Sequence, residues 1–171
     1  MIAFLLTFFL IYGTVHFYVF VKVRAAFGFG LRAGIPLLAF MIVMVAAPVL
    51  VRITERAGYE TFARFLAYVG YVWMGVLFLF FSASILLDGY RFVVVAAGFV
   101  VRKDFSSFLL PHRAAFFVSL ILSLLISVYG YFEARDIRLT QLRIVTPKIS
   151  REVGTIRVVQ ISDVHLGLLL R

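Results

Sequence analysis

What most limits the fold of this chain is the spacing of its charges. Four long stretches, residues 2–21, 33–51, 65–87 and 113–132, run almost without an ionisable side chain, and polar segments separate them. Each is about 20 residues, the length an α-helix needs to cross a hydrocarbon core about 30 Å thick. In that solvent every backbone N–H and C=O must be satisfied within its own segment, which leaves helices as the available structure. The sequence therefore predicts a membrane α-helical bundle of about four transmembrane helices over residues 1–132. Composition agrees, since 64% of the 171 residues are hydrophobic and 15% charged, against roughly 45–50% and 25% in soluble domains.

The first stretch is too long and too bulky for a secretory signal, and no small-residue cleavage site follows it, so it is read as a retained helix. In the second, Pro36 falls in the expected first turn, where its missing N–H costs nothing, and Pro48 lies near the end. Between the third and fourth comes DGYRFVVVAAGFVVRKDFSSFLLPH. Its apolar core, residues 92–101, is too short to cross as a straight helix and is read as an interfacial or re-entrant segment. The alternative, a fifth crossing that recruits residues before Asp88, would place the C-terminus on the other side.

The net charge of +9 does not come from a basic stripe with interleaved aromatics. The cations flank apolar stretches, which fits topology signals and lipid headgroup contacts rather than nucleic acid. The first and third loops hold Lys22, Arg24, Arg32, Arg91, Arg102, Lys103 and Arg113, while the second holds Arg52, Arg56 and Arg64. Arg135, Arg138, Arg143, Lys148 and Arg151 follow the last stretch and narrow the difference. Charge in short loops counts more than charge in a translocated domain, so both termini are expected outside the cytoplasm. The absence of cysteine excludes disulfides and thiolate metal sites.

Within the four stretches the ionisable candidate is His16, one turn after Tyr12, and it is expected as an interfacial hydrogen-bonding residue rather than a relay. Ala115, Ser119, Ser123 and Ser127 place small side chains on one helical face, a stripe suited to close packing, with Gly70 and Gly75 as candidate acceptors.

After residue 132 the pattern changes. Residues 137–146 and 155–162 alternate or concentrate β-branched side chains and are read as two strands. Two strands do not make a stable domain alone, so they are expected to open a soluble domain over residues 133–171. Asp163 lies just past the second strand, where ligands gather in sheets with crossover helices. His165 is two positions on, so both side chains can point the same way toward a divalent metal, and Gly167 lets the chain turn close by.

At these residues IRVVQISDVHLG resembles the first motif of the calcineurin-like metallophosphoesterases, and the chain as a whole resembles their membrane-anchored bacterial members. The resemblance implies that Asp163 bridges two divalent ions, Mn, Fe or Zn, and that His165 binds one of them. It further implies hydrolysis of a phosphate mono- or diester by a metal-activated water, in a bacterial cell membrane, and the charge count would make the C-terminal domain extracytoplasmic. The family's later motifs need Gly followed by Asp, Asn or His, and no glycine of this sequence is so followed. The expectation is therefore a helical bundle followed by the first two β-strands of a truncated α/β metallophosphoesterase domain, inactive alone. Its partners would be the bilayer and, in a complete enzyme, the phosphoester. The alternative from another class is a small multispan membrane scaffold or binding protein in which Asp163 and His165 are incidental.

Overall fold

The computed structural model describes residues 2–136, 139–145, 156–161 and 168. Four helices carry the fold: α1 Ile2–Phe27, α2 Leu31–Arg56, α3 Glu60–Val101 and α4 His112–Glu133. A single 3₁₀ turn, Ser106–Phe108, lies between α3 and α4. All four are long and apolar enough to cross a membrane. Their surfaces suit lipid, because Phe4, Leu10, Phe78 and Leu125 point outward with more than three-fifths of their area uncovered. In water such continuous apolar exposure would drive association, whereas a bilayer solvates it.

The helices alternate in direction. His16 meets Trp73 and Lys22 meets Asp88, so α1 and α3 run parallel. Phe80 meets Phe116 while Arg91 meets His112, so α4 runs back along α3. α3 packs on both α2 and α4, α1 touches all three, and among the described residues α2 and α4 do not pack together. The core is centred on Tyr12, Val19, Met41, Leu77 and Phe80.

Local chemistry sets the helix ends. α2 closes in a Schellman arrangement: Gly58 takes φ +84°, its N–H bonds Glu55 C=O, and the Tyr59 N–H reaches Thr54 C=O. Positive φ is cheap there only for glycine. α3 stops at Arg102, which adopts the left-handed region, while the Lys103 N–H bonds Gly98 C=O. The turn is tight enough that a Cβ on Gly98 would sit 3.0 Å from the Lys103 carbonyl oxygen.

Small residues let the helices approach, as expected where lipid offers no hydrophobic contrast. On α3, Ala63, Ala67 and Gly70 are buried along one face, and a Cβ on Gly70 would lie 3.0 Å from the Ala47 Cβ of α2. On α4, Ser119 and Ser123 are buried. The small-residue stripe thus faces the bundle, but Gly70 serves α2 rather than α4, and a Cβ on Gly75 would meet nothing within 4 Å.

Three expectations are corrected. The segment 92–101 is neither re-entrant nor interfacial by shape but the unbroken continuation of α3, whose 42 residues span about 63 Å. α2 begins at Leu31, so Pro36 lies inside the helix beyond its first turn. The predicted first two β-strands of an α/β phosphoesterase domain are absent among the described residues: 139–145 and 156–161 carry no strand, and the rest of both predicted segments lies outside them. A strand is held by its ladder and by a covered face. Here Leu139, Leu142, Val145 and Val158 are each more than four-fifths exposed, and no sheet among the described residues covers them.

Candidate functional site

Two clusters of polar side chains join helices of the bundle. The deeper is His16 on α1, only 3% exposed. The Trp73 indole N–H donates to His16 Nε2 at 2.9 Å, and His16 Nδ1 lies 2.8 Å from Tyr12 C=O. Indole nitrogen can only donate, so Nε2 must accept and the proton sits on Nδ1. Both ring nitrogens are then satisfied inside the bundle. His16 is a hydrogen-bonding residue as predicted, though it sits in the interior and not at the interface. Tyr12 lines an apolar groove of about 310 Å³ between α1 and α3, and its buried hydroxyl has no hydrogen-bond partner.

The second place is where the charge-free bands of α1, α3 and α4 end. Tyr18 and Lys22 are one turn apart on α1, so both reach Asp88 on α3. The Tyr18 hydroxyl donates to Asp88 Oδ2 at 2.6 Å, and Lys22 Nζ donates to Oδ1. Lys22 also stands 5.4 Å from the Tyr18 ring centre. This arrangement uses both carboxylate oxygens and joins helices separated by more than sixty residues of sequence. A turn further along α3, Arg91 Nη1 lies 3.4 Å from His112 Nδ1 at the start of α4.

Lys22, Ser84, Asp88, Arg91, His112 and Ser119 line a cavity of about 30 Å³ between these helices. That is room for about one water molecule. Ser119 is 1% exposed and its Oγ has no hydrogen-bond partner. The return loop is tied above it: the Tyr90 hydroxyl donates to Phe108 C=O at 3.0 Å. The Ser106 N–H donates to Asp104 Oδ1 at 2.8 Å, which holds that exposed carboxyl below the usual carboxylate range.

Sequence reasoning passed over Tyr18, Lys22, Asp88, Arg91 and His112 as a site. A signal was present: Asp88 and Arg91 interrupt an otherwise apolar run from residue 65 to residue 101. Ionisable residues at membrane depth or at its edge carry a functional expectation by default. What the sequence does not display is the pairing across chain distance.

Asp163 and His165, the predicted metal ligands, lie outside the described residues. Among the described residues no three His, Cys, Asp or Glu side chains converge as a metal site would require. Compared with known proteins, the chain matches no family model, no curated protein and no solved structure.

Proposed function

We propose that this chain is a multispan membrane scaffold or binding protein, a bundle that holds the residues after 136 against one face of a bilayer. The observation that carries this reading is the commitment of His16 and Asp88 to contacts between α1 and α3. His16 is held by Trp73 of α3 and by Tyr12 C=O of its own helix, and Asp88 of α3 by Tyr18 and Lys22 of α1. Groups so engaged lock the packing of α1 on α3, and none of these four contacts leaves a proton or a charge free to travel. The second reading is a membrane-anchored, metal-dependent phosphoesterase, favoured by the stretch IRVVQISDVHLG. In that reading Asp163 and His165 hold divalent metal, which would supply the activated water for attack on phosphorus.

One experiment separates the two. The chain is reconstituted in vesicles beside its D163N/H165A variant, and thermal unfolding is followed with and without Mn²⁺. The scaffold reading expects the two proteins to melt alike and to respond alike to the metal. Stabilisation by Mn²⁺ that the variant loses puts the phosphoesterase in its place.

A further inference from the structure

We infer that the cavity between α1, α3 and α4 is a site for a phosphoryl oxyanion, supplied by the headgroup of an anionic membrane lipid. Lys22 and Asp88 are ion-paired and cancel. Arg91 has no carboxylate within ion-pair distance among the described residues, and its contact is the 3.4 Å approach to His112 Nδ1. A guanidinium offers five donors in a fixed fork, and one long bond to an imidazole leaves most of them unused. The cavity wall is therefore left with an excess of one positive charge.

The second observation is independent of charge. Ser119 is essentially buried and lines the same cavity, and its Oγ has no partner. Buried hydroxyls are rarely left so, and an orphaned one costs about 1–3 kcal/mol. A space of about 30 Å³ beside it admits an oxygen-sized group. A neutral water would satisfy Ser119 but leave Arg91 unanswered. One oxygen of a phosphoryl group satisfies both, while its other oxygens remain at the mouth near Arg91 and His112.

Depth identifies the source. Lys22, Asp88 and Arg113 mark the ends of the charge-free bands of three helices, which is the headgroup level of a bilayer that those helices cross. This end of the bundle also holds seven Lys and Arg, from Lys22 to Arg113, against Asp88 and Asp104, an excess of five positive charges that concentrates anionic lipid. The inference rests on the four helices crossing a bilayer. It does not depend on whether Asp163 and His165 bind metal, so its failure leaves that question untouched.

The test uses the full chain in neutral detergent, titrated calorimetrically with dihexanoyl phosphatidylglycerol, with dihexanoyl glycerol lacking the phosphate, and with inorganic phosphate. The phosphatidylglycerol should bind saturably at one per chain, and the phosphate-free lipid should not. Ser119→Ala and Arg91→Gln should each weaken it about tenfold, the scale of one charge-assisted hydrogen bond. Arg91→Lys should recover part of the loss, and Arg102→Gln, outside the cavity on the same charged end, should leave affinity unchanged. Inorganic phosphate binding with the same variant pattern, without lipid binding, keeps the oxyanion site and assigns it to the soluble ion. Equal weakening by Arg102→Gln and Arg91→Gln would mean diffuse attraction and overturn the site, as would equal binding of the phosphate-free lipid.

Discussion

Removing the Trp73 indole N–H tests the interior lock between α1 and α3. In Trp73→Phe a smaller aromatic ring replaces the indole and His16 Nε2 loses its donor, at a position 3% exposed. In water-based folding an orphaned buried acceptor costs about 1–3 kcal/mol. Within a bilayer the unfolded reference also finds partners, and interhelical hydrogen bonds average about 0.6 kcal/mol with a maximum near 1.7. His16→Phe makes the complementary error, since it strands the indole N–H, while Tyr12 C=O keeps its backbone bond within α1. The double variant removes both polar atoms. A double-mutant cycle should therefore return a coupling of about 0.6–1.7 kcal/mol, with the double variant more stable than the two losses added together. Unfolding by SDS in mixed micelles, followed by far-ultraviolet circular dichroism because Trp73 is the single tryptophan, supplies the energies. Nitrogen-15 NMR of labelled His16 should find the proton on Nδ1 in the parent. Additivity within about 0.3 kcal/mol, or a proton on Nε2, would refute the reasoning.

Gly70→Ala should destabilise the bundle by about 1 kcal/mol, because its Cβ would meet Ala47 at 3.0 Å, whereas Gly75→Ala, with nothing within 4 Å, should be neutral or stabilising in the same SDS titration. Cysteines at Thr61 and Leu139 should label with an impermeant reagent from one face and a cysteine at Ser106 from the other; labelling of Thr61 and Leu139 from opposite faces would mean an odd number of crossings between them. If charge in short loops sets orientation, Ser106 is the cytoplasmic one. Asp104 should titrate below ordinary aspartates by NMR, and Ser106→Pro, which removes both the N–H and the hydroxyl, should raise it toward the usual range. Because the folded value is depressed, whatever this turn adds to loop order is present at neutral pH and lost as pH falls through the lowered value.

The bilayer-crossing part was legible because its signal is one-dimensional. Charge-free length survives any packing arrangement, and the bands 2–21, 33–51, 65–87 and 113–132 each fall inside one helix. The end of α3 was not legible, because Asp88 and Arg91 read as a membrane boundary. A boundary of solvent need not be a boundary of helix. Residues 89–101 contain no proline, and Asp88 is neutralised from α1, so nothing halts the hydrogen-bond ladder until Arg102 turns left-handed. The strands failed for the opposite reason. Their alternation is a local property, while a strand depends on a neighbour that the described residues do not supply. The cavity was hidden because its parts come from α1, α3 and α4, and nothing in the order of the sequence brings Lys22, Asp88 and Ser119 together.

The length of α3 then explains why the polar cluster sits where it does. At 42 residues it is about 63 Å long, twice the hydrocarbon thickness, whereas α1 and α4, at 26 and 22 residues, are about 39 and 33 Å. Tilt cannot absorb the difference, because α3 packs along these shorter neighbours. If the charge-free bands mark the hydrocarbon, Asp88 and Arg91 stand at headgroup level in the middle of a helix, where their backbones are satisfied and only their side chains seek partners. A helix end at the same depth would have to answer its own free carbonyls first. The extension also returns the chain to the right height. Lys103 closes onto Gly98 and Tyr90 pins Phe108, so the loop descends beside α3 and starts α4 at His112, level with Arg91. Continuity of α3 through Asp88 is what assembles side chains from three helices into one cavity.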